Sequence, residues 1–224
     1  MELYKHALTT VLEDLIIIGA GGLGREVAAM VKSSFSDVYR VMGYVDDSVA
    51  EGTLIGGNKV LGNIDWLNNY NNEVSIVMAI GSPTSKQQIK QRINKPDVSY
   101  PNLIHPGARL HAEDETKIGE GNIITDGCIL TTSIVIGDFN LINLSCTVGH
   151  DTQIGDYNSI MPGVNISGFT KLKDQVYVGT GAMLINGAVL GDKCVVGAGA
   201  VVTTNIPSGK TYVGIPAKEI NHGR

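Results

Sequence analysis

The 224-residue sequence is short of aromatic rings: it has 3 phenylalanines and 1 tryptophan against 28 glycines. A fold with many tight corners and little room for large rings accounts for that imbalance. Basic excess is missing too. A formal net charge of -5 argues against a nucleic-acid partner, because nothing neutralises a phosphate backbone. Small acidic ligands stay open, since local backbone donors can hold them. No apolar run reaches about 18 residues, so no membrane-spanning helix is expected. The opening stretch MELYKHALTTVLED carries acidic residues and lacks a continuous apolar segment, unlike a secretory signal. Three cysteines cannot complete a disulfide framework. The compartment expected from these absences is the cytoplasm.

What is present is a repeat. From Ile118, every sixth residue is aliphatic: Ile118, Ile124, Leu130, Ile136, Ile142, Val148, Ile154, Ile160, Ile166, Leu172, Val178, Leu184, Leu190, Val196 and Val202. Four residues after each aliphatic the side chain is small or medium, as at Cys128, Cys146, Thr152, Ala182 and Cys194, with Ile134 and Ile206 the larger exceptions. A period of six suits neither an amphipathic helix nor a hairpin. It suits a triangular prism in which each hexapeptide supplies one side and one corner, three make an 18-residue turn, and turns stack as parallel strands about 4.8 Å apart. Ile104 and Leu110 read as a first partial turn, set off from Ile118 by a two-residue insertion near Glu113–Thr116.

Residues 1–101 lack the sixfold pattern and alternate as strand Leu15–Ile18, helix Gly22–Lys32, strand Val41–Val45, helix Ile64–Asn69, strand Val74–Ile80 and helix Ser85–Ile93. This is a βαβαβ unit with a parallel three-stranded sheet. The coil follows over 102–207 and a tail over 208–224, where Pro207 and Pro216 are expected to stop further strand pairing. The first loop, Gly19-Ala20-Gly21-Gly22-Leu23-Gly24, fits G-x-G-x-x-G, with Asp46 and Asp47 ending the second strand. Glycines admit a phosphate to the backbone, a helix N-terminus offers free N–H donors, and an acidic residue can accept from a ribose or base. Only half of a dinucleotide fold fits before the repeat, so a single nucleotide is expected rather than NAD. The alternative is that the glycines only permit a tight turn. Gly81, ending the third strand, lines the same crevice.

Among the fifteen hexapeptides there is one histidine, His150, followed by Asp151. Its hexapeptide position points it away from the axis, where a neutral imidazole can take a proton from an amine or hydroxyl. Asp151 orients it only if a corner brings the two side chains together. One turn on lies Gly168, whose backbone N–H suits a thioester carbonyl or its oxyanion. Alternatively, His150 is simply solvated. His6, His222, His105 and His111 receive no role, and the cysteines read as packed thiols. A zinc site needs three converging histidines, and the regular coil has one. A non-catalytic solenoid or nucleotide-sensing module would leave His150 idle.

With the glycine loop, the hexapeptide run, His150-Asp151 and the tail Gly214-Ile215-Pro216-Ala217-Lys218 in hand, the chain resembles the bacterial nucleotide-sugar acetyltransferases of the bacillosamine, perosamine and viosamine type, grouped with sialic acid O-acetyltransferase-like proteins. The resemblance covers Leu15 to Lys218. It implies a left-handed parallel β-helix, a homotrimer with active sites between subunits, no bound metal or permanent cofactor, and acetyl-CoA as co-substrate. It assigns catalysis to His150 with Asp151. The nucleotide of a UDP- or dTDP-linked 4-amino-4,6-dideoxysugar falls to Gly21, Gly22, Leu23, Asp46, Asp47 and Gly81, with Asn143 on the substrate. Acetyl-CoA falls to Ser159, Gly168, Thr180 and Ala198. O-acetylation of a sialic acid or related sugar is the other reading.

Overall fold

The structure, a computed structural model, describes residues 12–220; His6 and His222 lie outside the described residues. The front domain is built on a sheet of parallel strands. β1 (Glu13–Ile18) leads through the glycine loop into α1 (Gly22–Ser34), then β2 (Tyr39–Val45). β3 (Leu54–Ile55) and β4 (Asn58–Gly62) precede α2 (Ile64–Asn68), β5 (Val74–Met78), α3 (Pro83–Arg92) and β6 (Val98–Ser99). The order is β3-β4-β2-β1-β5-β6, parallel except between β3 and β4. The expected three-stranded sheet is therefore corrected to six strands. The missed hairpin turns on Gly56 and Gly57, both at positive φ (57° and 87°), where a pair of glycines lets a two-residue turn match the twist of its strands.

The rest is the hexapeptide β-helix. Fifteen two-residue strands run from Lys117–Ile118 to Val201–Val202, each ending on a repeat aliphatic. Leu103–Ile104 and Arg109–Leu110 pair with the turn below them as the partial first turn. The insertion is a 3-10 turn over Glu113–Glu115. Partners in neighbouring turns are 18 residues apart, as in Leu141 with Ser159 and Val148 with Ile166. The strands form three faces. The first contains Ile123–Ile124 and Leu141–Ile142, the second Ile129–Leu130 and Thr147–Val148, and the third Val135–Ile136 and Gln153–Ile154. The axis is filled by the aliphatics and by the small residues, among them Cys128, Cys146, Cys194 and Ala200.

The corners explain the glycine content only in part. The residue three after each aliphatic has φ between 55° and 73° at all corners from 121 to 199. Six of these are glycine, and the others include Ser133, Asp151, Tyr157, Phe169 and Lys193. The left-handed region costs a residue with a Cβ roughly 1 kcal/mol, and the ladder above and below overrides that cost at each corner.

The front domain straddles the first face. Leu103, Ile123 and Leu141 are buried in one cluster with Leu15, Val27, Tyr44 and Val77. α3 runs along the corner between the third and first faces, where Phe139 stacks on Tyr157 at 5.3 Å and Gln175 donates to Gln87 at 3.1 Å. Lys86 is buried there and donates to Phe139 O at 2.9 Å and Asn158 O at 2.7 Å. Burial without a carboxylate lowers its ammonium to about 7. α1 borders the corner between the first and second faces. There His105 bonds Ser34 Oγ at 3.0 Å through Nε2 and accepts the Gly107 N–H at 2.9 Å.

The tail departs from expectation. Thr211–Val213 continues the first face, parallel to Val195–Val196, and Lys218–Glu219 folds back antiparallel on it. Pro207 and Pro216 both fall outside those strands, so pairing persists where it was expected to end. Ala217 is buried in the coil core.

Candidate functional site

His150 and Asp151 form the corner between the second and third faces. Asp151 is the left-handed residue, φ 58°. In an extended strand the two side chains would diverge; the turn at Asp151 folds its carboxylate back so that Oδ2 lies 2.8 Å from His150 Nδ1. Nε2 is left facing the next turn. There the bare Cα of Gly168 makes room for the ring: a Cβ on it would meet Cε1 and Nε2 at 2.7 Å. Phe169 braces the imidazole edge-on, with centroids 4.9 Å apart. Both members of the pair are about half exposed.

The Gly168 N–H makes no hydrogen bond among the described residues. Its approach is kept clear by Gly149, where a Cβ would lie 2.5 Å from that nitrogen. Two glycines on successive turns thus set an imidazole beside an open amide. Gly179 stands in the same relation to Ala198, with a Cβ 2.6 Å from its nitrogen.

Thr180 and Ala198 are exposed on the corner between the first and second faces, separated from Gly168 by the width of the second face. Ser159 is fully buried on the first face, in the outward row of Leu141 that the front domain covers. The four residues expected on acetyl-CoA therefore share no single groove of one chain. Asn143 also lies on the first–second corner, in a crevice of 310 Å³ that it shares with Leu23, Val27 and Met30 of α1. It does not meet His150 within the chain.

At the sheet edge the glycines divide by packing. Gly19 (φ 100°) is pressed against Ala79 O, and a Cβ on Gly24 would lie 2.0 Å from Gly19 O, so both are required by packing. At Gly21, Gly22 and Gly81 a Cβ would meet nothing within 4 Å. The packing of the turn does not require them to be bare. α1 has no side-chain cap at Gly21, which leaves first-turn N–H groups facing that space.

Asp46 and Asp47 also hold the loops together, which sequence spacing does not reveal. Asp46 accepts from Ala20 N at 2.8 Å and from Ser48 N and Oγ at 2.8 and 2.6 Å. Burial raises its carboxyl, but these donors outweigh burial and leave it below the usual range. Asp47 accepts from Arg92 and from Ile64 N; the Arg92 bond is the main cause of its lowered pKa. It ties the start of α2 to the end of α3. A crevice of 280 Å³ adjoins both aspartates and Gly19.

No helix among the described residues is long and apolar enough to cross a membrane. No cluster of three or more metal-ligating side chains occurs among them.

Residues 14–93 match the PglD N-terminal domain, and residues 169–204 the bacterial transferase hexapeptide of six repeats. No curated sequence matches the chain. Among solved structures, WeeI from Acinetobacter baumannii is 29% identical, with 93% of this chain and 100% of that one covered and a TM-score of 0.85. The acetyltransferase domain of PglB from Neisseria gonorrhoeae, solved with acetyl coenzyme A, is 29% identical over 94% and 100%, TM-score 0.84. PerB from Caulobacter crescentus, in complex with CoA and GDP-perosamine, is 26% identical over 94% and 99%, TM-score 0.82. The chain thus joins a segment that matches the PglD N-terminal domain to one that matches the transferase hexapeptide, and its likeness to the nucleotide-sugar acetyltransferases is borne out.

Proposed function

We propose that this chain transfers the acetyl group of acetyl-CoA to the 4-amino group of a nucleotide-linked 4-amino-4,6-dideoxysugar, with His150 as general base. The observation that carries this is the paired corner: an imidazole oriented by Asp151, its free Nε2 beside the open Gly168 amide. The thioester carbon lies between them, with its oxygen on the Gly168 N–H. The amine attacks that carbon, His150 Nε2 takes the amine proton, and the tetrahedral intermediate collapses to the amide and the CoA thiolate, which regains a proton. Asp151 stabilises the imidazolium while it exists.

The front domain covers the early turns of the first face and borders its two corners there, and His150 occupies the corner opposite. A sugar held at the glycine loop is therefore presented to the histidine of another copy. Exposed Leu144, Phe169, Met183 and Ile185 on and beside the second face supply apolar surface for that contact, in keeping with a homotrimer. Thr180 and Ala198 of one copy then line acetyl-CoA opposite Gly168 of the next. Light scattering on the purified protein tests the assembly.

Activity is tested by following free thiol from acetyl-CoA with UDP-, dTDP- and GDP-linked 4-amino-4,6-dideoxysugars. GDP joins the series because PerB was solved with GDP-perosamine. Thiol release with one of them, lost in His150→Ala, is expected; undiminished release in that variant would remove the histidine from the mechanism.

A further inference from the structure

The crevice between α1 and the first–second corner, 310 Å³ in volume, starts beside the glycine loop. Leu23 lies in the first turn of α1, next to the open backbone at Gly21 and Gly22. Leu23, Val27 and Met30 then follow as one stripe of the helix, running about 10 Å along its axis. They make that wall apolar. The opposite wall belongs to the coil, where Thr125 and Asn143 stand on successive turns with Leu144 beside them. Asn143 is only 5% exposed. Its Oδ1 accepts the Leu144 N–H at 2.8 Å, which fixes the amide, and its Nδ2 makes no hydrogen bond among the described residues. A donor left unpaired on so buried a side chain calls for an acceptor oxygen in the crevice.

We propose that this crevice seats the hexose ring of the acceptor and that Met30, with Leu23 and Val27, sets its specificity: the wall takes a methyl group at C6 and turns away a C6 hydroxyl. The inference rests on the acetyl-transfer reading and on the trimer that goes with it. Asn143 and His150 belong to one 18-residue turn of the coil. Rotation about an axis parallel to the coils preserves height, so the crevice of one copy stands level with His150 of another. A diphosphate held by the amides at the start of α1 leaves its sugar at Leu23, the mouth of the crevice. Ring hydroxyls find the Asn143 amide or water. A methyl group lies on Val27 and Met30 without losing a hydrogen bond, whereas a hydroxyl there is stripped of its water and left unpaired. Val27 is buried in the core of the front domain, but Met30 and Leu23 are half-buried and open to substitution.

The test measures kcat/KM for two acceptors on the nucleotide that supports thiol release: a 4-amino-4,6-dideoxyhexose and the 4-amino-4-deoxyhexose that keeps its C6 hydroxyl. The proteins are the wild type, Met30→Leu and Met30→Gln. The wild type should favour the 6-deoxy acceptor by about 10- to 100-fold, the discrimination an apolar pocket reaches against an added hydroxyl. Met30→Leu should keep that preference. Met30→Gln should shrink it roughly fivefold or more, because the new amide offers the hydroxyl a partner, with KM for acetyl-CoA unchanged. Leu23→Gln, at the other end of the wall, should act in the same direction and takes its place if Met30→Gln does not fold. The proposal is overturned if the wild type uses both acceptors equally, or if the glutamine variants alter both by the same factor or neither. A wild-type protein that acetylates no amino sugar nucleotide defeats the acetyl-transfer reading itself; an active wild type whose preference survives Met30→Gln defeats only the role of the crevice.

Discussion

The imidazole of His150 lies against the bare Cα of Gly168, one turn further along the coil, so closely that a methyl group there would stand 2.7 Å from two ring atoms. Gly168→Ala must therefore push the ring off its position. Transfer should fall about 10- to 100-fold, since displacing a catalytic group by about 1 Å costs on that order. The melting temperature should shift little, because the ring is half exposed and free to swing outward. Thiol-release kinetics and thermal denaturation measured on one preparation check the pair of outcomes; unaltered kinetics would refute the placement.

Asp151→Asn keeps the corner and replaces a carboxylate beside Nδ1 with an amide. It no longer stabilises the imidazolium, so kcat should drop about 10-fold or more with KM for acetyl-CoA unchanged. Steady-state thiol-release kinetics check this, and a kcat equal to that of the wild type would show that the aspartate does not act on the ring.

Lys86 gives a stability prediction. Its ammonium is lowered to about 7 in the folded protein from an ordinary 10.5. Between those values the unfolded chain holds a proton that the folded protein does not, so folding becomes more favourable as pH rises through that window. Lys86→Met removes this dependence and also leaves Phe139 O without a donor, while Asn158 O keeps the Leu141 N–H, a loss of about 1–3 kcal/mol. The variant should melt below the wild type, with the gap widening from pH 7 to pH 9.5. Parallel melting curves would mean that the lysine keeps its proton when folded.

Asp46→Ala removes one accepted hydrogen bond that joins the glycine loop to the end of β2, from Ala20 N, and two from Ser48 that shape the turn after it. About 1–2 kcal/mol of stability should go at pH 7, discounted for its partial exposure, and KM for the nucleotide sugar should rise. Because the folded carboxyl titrates below its ordinary value, its contribution is present above about pH 4 and fades as pH falls through the lowered value. Denaturant melts at pH 7 and pH 3 should therefore converge for variant and wild type.

Lys193 sits at a corner with φ 57° and an exposed side chain. Replacing it by glycine relieves the left-handed cost, about 1 kcal/mol, against an added unfolded-state entropy of similar size or less. A melting temperature equal to or slightly above that of the wild type is expected. A drop of several degrees would show that the ladder, not the local backbone, sets the energy of that corner.

The coil was legible because its core aliphatics follow a strict period, and a row such as Ile142, Ile160, Val178 and Val196 sets the eighteen-residue step between turns; its handedness does not follow from that spacing. The corners were less so: Phe139, Tyr157 and Gln175 adopt the left-handed conformation without being glycine or asparagine, so nothing local marks them. The β3–β4 hairpin carried a readable signal in Gly56-Gly57, but its strands are too short to show alternation. Asp46 and Asp47 read as ligand contacts because their partners, Ala20, Ile64 and Arg92, are distant in sequence. His150 and Gly168 come together by the eighteen-residue step alone, whereas the closure of Asp151 onto the ring depends on a left-handed corner that the residue type does not announce.

The eighteen-residue step also limits how this protein can change length. One residue added within a side would rotate every later aliphatic out of the axis, so drift in size is confined to corners, as at Glu113–Glu115, or to whole turns. A duplicated turn would lengthen the prism by about 4.8 Å and leave its cross-section intact. Reach along the edge is thereby separable from the chemistry performed at one point on it.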